Sequence, residues 1–332
     1  MPGEFDLIRK YFTHRTRHTL LGVGDDAALL RVRRGYVQAV SADMLVEGRH
    51  FFKGADPEAL GHKTLAVNLS DLAAMGAKPR WATLALALPR VDEQWIAAFA
   101  RGFMRLAREH DVDLIGGDTT RGPLNLCVQI MGEVPAGKAL RRDGARAGDE
   151  IWVSGTVGDA ALAVAVRSNK ITVKKQILKS ISLRLDKPTP RVALGLVLRG
   201  IATSAIDISD GILGDLGHIC ERSGVGAMLY VDDLPVSRAF KPLCCKPDGD
   251  RLLLTGGDDY ELCFTAPRSR HQAVLRASKR AGVAVTCVGR IVDHPKIPAR
   301  GKQYLAEPLV RVFNVMGFPV QTKGLKGFDH FH

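Results

Sequence analysis

No stretch of this 332-residue chain is apolar for long enough to cross a bilayer; the longest apolar runs lie near IAAFA (96–100) and WATLALAL (81–88). The N-terminus, MPGEFDLIRKYF, has no apolar core followed by a small-residue cleavage site, so no secretory signal is expected. Cysteine is sparse and unpatterned. The six are Cys127, Cys220, Cys244, Cys245, Cys263 and Cys287, none at metal-ligand spacing, and the adjacent pair suits a structural disulfide poorly. Reduced thiols and a cytoplasmic location are expected. The ten histidines are scattered and no HExxH occurs, which argues against zinc. The usual phosphate-cradling loops are missing too: there is no GxxxxGK[ST], and no GxGxxG follows a strand. Aromatics are 6% of the chain, and no helix-turn-helix, zinc finger or aromatic-interleaved basic strand accompanies the net charge of +12. The basic residues are dispersed in small clusters such as Arg33-Arg34, Arg141-Arg142 and Lys174-Lys175. They read as a solvated surface, or as a field that gathers phosphate-bearing small molecules, rather than a duplex-binding face. A basic nucleic-acid-binding protein is the rival class, and salt-dependent binding without nucleotide affinity would be its signature.

What is there is the composition of a globular protein, 46% hydrophobic and 25% charged. At 332 residues the natural expectation is two domains. Strands and helices mix in both halves, which predicts an α+β (mixed α/β) class. YVQAVSAD (36–43) reads as a strand ending on a carboxylate. Asp56-Pro57-Glu58 opens a helix running to about Gly76, with Leu65, Leu69 and Leu72 as its apolar stripe. WATLALAL puts leucines on one face of a strand and alanines on the other. Asp92 caps a helix whose buried face is Trp95, Phe99, Phe103 and Leu106. VDLIGG (112–117) and LNLCVQIM (124–131) follow as strands. The Gly-, Pro- and charge-rich PAGKALRRDGARAGD (135–149) marks a boundary, giving domains 1–140 and 141–332. Beyond it come the strand EIWVSG, the helix GDAALAVAV, a Lys-rich connecting segment over 168–191, and VAVTCVGRI closing the pattern. NLSDLAAMG echoes DISDGILGD, and IGGDTT echoes TGGDDY, a hint of two related halves or of shared turn chemistry.

The distinctive feature is acidic. A short apolar strand or tight glycine turn ends on aspartate in GVGDDAALL (Asp25, Asp26), VSADM (Asp43), NLSDL (Asp71), IGGDTT (Asp118), AIDISDG (Asp207, Asp210) and TGGDDYE (Asp258, Asp259, Glu261). Any one of these could be a cap or turn former. Six such places are harder to ascribe to capping alone. Converging carboxylates repel one another unless cations neutralise them, and hard divalent cations, Mg²⁺ first, take oxygen ligands. Magnesium is the usual partner of nucleotide phosphates, and a basic residue such as Arg142 can take phosphate oxygens directly. The chemistry of the residues leads to the expectation of a Mg-dependent enzyme acting on phosphates.

GEFDLIRKYF, GVGDDAALL, SADMLVEGRHF, KTLAVNLSDLAAMGAKPRW, LIGGDTTRGP, AIDISDGILGDLGHI, TGGDDYELCFT and GFDHF span residues 3 to 331. In order and in detail they resemble the thiamine-monophosphate kinase family, part of the superfamily of aminoimidazole ribonucleotide synthetase and selenophosphate synthetase. The resemblance implies a two-domain synthetase-like fold, with an N-terminal mixed sheet that dimerises and a C-terminal α/β domain. It implies transfer of the ATP γ-phosphate to thiamine monophosphate, the last step in making the diphosphate cofactor. The family's metal positions fall on Asp26, Ser41, Ala42, Asp43, Asp71, Asp118, Asp207 and Asp210. Ala42, where the family often has threonine, would offer only its carbonyl. Nucleotide contacts fall on Gly117, Asp118, Arg142 and Ser209; substrate contacts on His50, Asp258 and Phe328. Asp258 stands where the family usually has glutamate. The resemblance further implies several Mg²⁺ ions, ATP as co-substrate, a homodimer, and ATP in a cleft between the domains. Asp259 and Glu261 are expected to shape their turn, and Asp215 to be a surface or capping residue. The acceptor oxygen is already anionic, its second pKa being about 6, so no general base is nominated. Direct in-line transfer is expected. Another kinase or synthetase of the superfamily, with a different acceptor, is the nearer alternative.

Overall fold

The computed structural model of the chain describes residues 3–244, 246–294, 308–314, 316–322 and 324–325. Two compact units emerge: Met1–Leu72 with Ala77–Ala139, and Ala73–Gly76 with Leu140–His332.

The first unit opens with α1 (Glu4–Leu7), continued by a π-helical turn, Ile8–Phe12, and a short antiparallel pair, β1 (Thr19–Leu21) and β2 (Leu29–Leu30). Its body is a four-stranded sheet with β3 (Tyr36–Val46) and β5 (Asp113–Arg121) at the edges and β6 (Asn125–Pro135) and β4 (Lys78–Leu88) between them. The β3–β6 and β6–β4 pairs are antiparallel and β4–β5 is parallel. Alternation drives the burial: Leu84, Leu86 and Leu88 are buried while Ala85 faces out, and Leu126, Val128 and Ile130 do the same on β6. Two longer helices complete this unit, α2 (Pro57–Ala74, its last two residues grouping with the second unit) and α3 (Glu93–Glu109). Asp56 caps α2 by accepting from the Ala59 amide at 2.8 Å, and Asp92 caps α3 through the Trp95 amide at 3.1 Å. The helices cross with their backbones almost touching. A Cβ on Gly61 would lie 2.1 Å from the Phe99 carbonyl oxygen, and one on Gly102 would lie 1.9 Å from that of Glu58.

Four expectations change here. The α2 stripe of three leucines is too narrow: Thr64, Asn68 and Ser70 are as buried as Leu65 and Leu69. On α3, Ile96 joins Phe99 and Phe103 in the core, while Trp95 is half-buried and stacks on Phe99 at 5.3 Å. The third and fourth concern strand ends. β3 runs on through Asp43 to Val46, and β5 runs through the glycine pair to Arg121. The paired glycines do not end the strand; Gly117 lets β5 press against β4, because a Cβ there would meet the Leu84 carbonyl oxygen at 1.8 Å.

The second unit is a six-stranded sheet in the order β12-β9-β11-β7-β10-β8, antiparallel except for the β12–β9 pair. The strands are β7 (Asp149–Ser154), β8 (Ser204–Asp207), β9 (Gly226–Tyr230), β10 (Leu262–Pro267), β11 (Val285–Val292) and β12 (Val310–Phe313). Central β7 has Ile151, Trp152 and Val153 all buried, as expected for a strand covered on both faces. The helices are α4 (Asp159–Arg167), α5 (Lys175–Asp186), α6 (Val192–Leu198), α7 (Ile212–Ser223), α8 (Pro247–Thr255) and α9 (His271–Ala281). The Lys-rich stretch is therefore not merely a connection. Ile181 and Leu185, four residues apart, are buried, and Arg167 of α4 pairs both its terminal nitrogens with Asp186. The internal echo has no structural counterpart: NLSDLAAMG ends within and just beyond α2, whereas DISDG leaves β8, bends and enters α7. IGGDTT lies within β5, whereas TGGDDY links α8 to β10. Both units mix sheet and helix, which makes the chain α+β.

Candidate active site

In the first unit, Ser41 and Asp43 alternate on β3, and Asn68 and Asp71 sit one turn apart on α2. The Ser41 hydroxyl donates to Asp71 Oδ2 at 2.5 Å, and the Asp43 amide donates to Asn68 Oδ1 at 3.2 Å. Because β3 is an edge strand, an amide on its open side needs such a partner. Ala42 lies on the opposite, exposed face, so only its main chain is available to this group. The register sets Asp118 apart. It pairs across β4 and β6 in the row Ala85, Cys127, Met44, next to the row of Asp43, which runs Val128, Leu84, Gly117, and its strand lies three places from β3. Asp26 is exposed in a tight bend after Gly24. His50 closes the turn after β3, where its Nδ1 accepts from the Val46 amide at 3.0 Å. That bond assigns the proton to Nε2 and leaves it as a donor. The buried Lys63 donates to the His50 carbonyl at 3.3 Å.

In the second unit, β8 ends on Asp207, and Ser209 and Asp210 occupy the bend before α7. Asp215, in the first turn of α7 and expected at the surface or as a cap, is buried and acts as a cap. It is 2% exposed, and its Oδ2 accepts from the Ser209 and Asp210 amides at 3.1 and 3.2 Å. Burial, then the neighbouring charges of Asp207 and Asp210, push its pKa up to about 8. A second turn, 256–261, lies against this bend. The Asp258 amide donates to the Ser209 carbonyl at 2.9 Å, Tyr260 to that of Ile208 at 2.8 Å, and the Ile208 amide returns a bond to the Glu261 carbonyl at 2.8 Å. Asp258 and Tyr260 are half-buried and left-handed, with φ of 67° and 50°. Asp259 and Glu261 are buried between and after them. The Asp259 carboxylate takes the Gly158 amide at 2.9 and 3.1 Å, and burial raises its pKa well above the ordinary carboxylate range. The Tyr260 hydroxyl donates to Asp258 Oδ1 at 3.2 Å. Arg142 is exposed in the turn after Arg141, its carbonyl accepting from Ser223 Oγ at 2.8 Å. Phe328 and the GFDHF stretch lie outside the described residues.

The structure thus gathers Ser41, Asp43 and Asp71 in one unit, and Asp207, Ser209, Asp210 and Asp258 in the other. Both sets offer hydroxyl and carboxylate oxygens, the donor chemistry of a hard divalent cation. Among the described residues, no three His, Cys, Asp or Glu side chains are arranged to hold an ion on their own. Phosphate oxygens would be the natural remaining ligands. The supporting residues Asn68, Tyr260, Arg184 and Arg191 escaped the sequence reading, which offered Asp215 only as a surface or capping residue. Only Asp215 carried a local signal, a carboxylate in a helix's first turn a few residues past exposed amides.

Two family models match the chain, AIR synthase related protein, N-terminal domain, over residues 24–134 and the C-terminal domain of the same family over 146–302. Thiamine-monophosphate kinase of Salmonella typhimurium is 46% identical over 334 residues, covering 99% of this chain and 98% of the relative. A crystal structure of thiamine-monophosphate kinase from Stenotrophomonas maltophilia K279a has a TM-score of 0.79 and 50% identity, covering 86% of this chain and 92% of that one. A structure described as AaThiL complexed with AMPPCP and TMP has a TM-score of 0.75 and 29% identity, covering 99% and 97%.

Proposed function

Because the chain belongs to the thiamine-monophosphate kinase branch of the AIR synthase related family, we propose that it transfers the γ-phosphate of ATP to thiamine monophosphate, giving thiamine diphosphate and ADP. The observation that carries this reading is an identity of 46% over 334 residues, covering 99% of the chain. A solved relative at 29% identity is described with an ATP analogue and TMP together, which fits the same pair of ligands here.

The mechanism asks for position and charge neutralisation more than for proton transfer. Asp26, Ser41, the Ala42 carbonyl, Asp43, Asp71, Asp118, Asp207 and Asp210 are the residues to hold Mg²⁺, which supplies the positive charge that lets two phosphates approach. Gly117, Asp118, Arg142 and Ser209 would take the nucleotide. His50, Asp258 and Phe328 would take thiamine monophosphate, with His50 Nε2 as a hydrogen-bond donor. The acceptor oxygen is anionic near neutral pH, its second pKa about 6, so no side chain need remove a proton. Transfer is direct and in line: a chiral γ-phosphate should invert, and retention would mean an enzyme-bound phosphate. The cytoplasm, with its reduced thiols, is the compartment that suits the five cysteines unpaired among the described residues. The exposed face of β3, with Val40 and Met44 each about half exposed (53% and 52%), together with Leu20 and Leu29, supports pairing of two first units in a homodimer. Sedimentation of a monomer at micromolar concentration would exclude that pairing. Incubation with Mg-ATP and thiamine monophosphate, followed by product separation, tests the activity itself; ADP without thiamine diphosphate would overturn it.

A further inference from the structure

The turn 256–261 alternates in a way that separates two jobs. Asp258 and Tyr260 are half-buried and adopt a left-handed backbone that residues with a Cβ disfavour. Asp259 and Glu261 point inward and are buried. Glu261 is the more heavily held of the two. Its Oε1 accepts from Arg184 Nη2 at 2.6 Å and from Arg191 Nη2; its Oε2 accepts from Arg191 Nε and Ser154 Oγ, each at 2.6 Å. Ser154 Oγ in turn accepts from the Leu262 amide at 2.8 Å, so the first residue of β10 is fixed as well. Buried ion clusters of this kind contribute little net stability but define geometry; here both Glu261 oxygens are bonded twice, while Arg184 Nε is buried without a hydrogen-bond partner.

We propose that Glu261, clamped by Arg184 and Arg191, is a positioning residue for phosphoryl transfer: it holds the left-handed turn that presents Asp258 to the substrate. The inference rests on the assignment of Asp258 to the thiamine-monophosphate side. The metal and nucleotide side has its own anchor, because the Ser209 and Asp210 amides are fixed by Asp215. Loosening Glu261 therefore acts first on the Asp258 side, while the Asp215 bonds still hold the Ser209 and Asp210 amides. Tyr260, whose hydroxyl holds the Asp258 carboxylate, belongs to the same device.

Glu261→Gln keeps the shape and removes the charge. Steady-state kinetics should give a KM for thiamine monophosphate raised about tenfold and a KM for Mg-ATP within about twofold of the parent. Hydrogen exchange should be faster at the amides of Asp258 and Tyr260, which bond to Ser209 and Ile208, with the β7 amides unchanged. Arg184→Lys, which keeps both hydrogen bonds from Arg191 to Glu261, should shift the same two readouts in the same direction by less, and it decides the matter if Glu261→Gln does not fold. Equal rises in both KM values, or a fall in melting temperature with both KM values unmoved, would overturn the proposal. If the parent protein fails to phosphorylate thiamine monophosphate, the assigned reaction falls, and unchanged exchange at Asp258 and Tyr260 would remove the positioning role as well.

Discussion

The two acid-bearing regions are built on different principles. In the first unit Asp26 stands in a bend, while the other three of the four assigned aspartates sit inside regular elements, Asp43 within β3, Asp71 within α2 and Asp118 within β5. Strand pairing and helix hydrogen bonds already fix their backbones, and one polar neighbour, Asn68, serves the open edge of β3. In the second unit the functional side chains ride on two bends between elements. A bend has no ladder to fix it, so each is tied down by a buried carboxylate, Asp215 under one and Asp259 with Glu261 under the other. Regular structure supplies geometry through the backbone; irregular structure needs dedicated side chains to do the same.

That contrast can be broken at its strongest point first. Asp71→Asn and Asp210→Asn, one from each region, should each lower kcat by about a thousandfold or more while the melting temperature stays near that of the parent. Turnover near the parent rate in either, at saturating Mg²⁺, would remove that residue from the phosphate-handling set. The supporting residues should then behave unequally. Asp215→Asn should cut kcat/KM for Mg-ATP by about ten- to a hundredfold, as loss of an outer partner does. Asn68→Ala should cost about 1–3 kcal/mol of stability by orphaning an edge amide and leave kcat/KM within about threefold. Equal kinetic losses would erase the distinction between the regions.

A smaller test uses pH. Burial keeps Asp259 protonated well above the ordinary range, whereas in the unfolded chain it ionises near a pKa of about 3.9. The folded state then holds a proton that the unfolded state has lost. Its contribution to stability is complete below about pH 4 and is lost as pH rises toward the folded pKa. Asp259→Asn, a neutral mimic that still accepts from the Gly158 amide, should flatten this decline when melting temperature is followed from pH 4 to 8. The smallest effect is a refinement. Asp258→Glu restores the longer arm and should lower the KM for thiamine monophosphate by about twofold to fivefold.

Local signals carried much of this architecture. The Asp92 cap, the Pro57 helix start and the alternation of WATLALAL are each decided within a few residues, and each stands in the structure. Acid beside glycine or serine was a poorer guide. It read as the end of a strand at Asp43 and at the glycine pair before Asp118, where β3 and β5 instead run straight through. Tertiary pairing with β4 overrode the local turn preference of Gly116-Gly117. α5 was hidden because lysines dominate a surface whose buried residues are only Ile181 and Leu185. Glu261 was visible, but its partners Arg184 and Arg191 lie 77 and 70 residues away, and no local pattern encodes a pairing of that span.

The alternation in the 256–261 turn also bears on how such a protein can diverge. Where inward residues carry the backbone, an outward residue is free to drift: aspartate or glutamate at 258 leaves the scaffold indifferent. Relatives could thus explore new acceptors by trading one arm of the turn, generation by generation, without first rebuilding the domain that displays it.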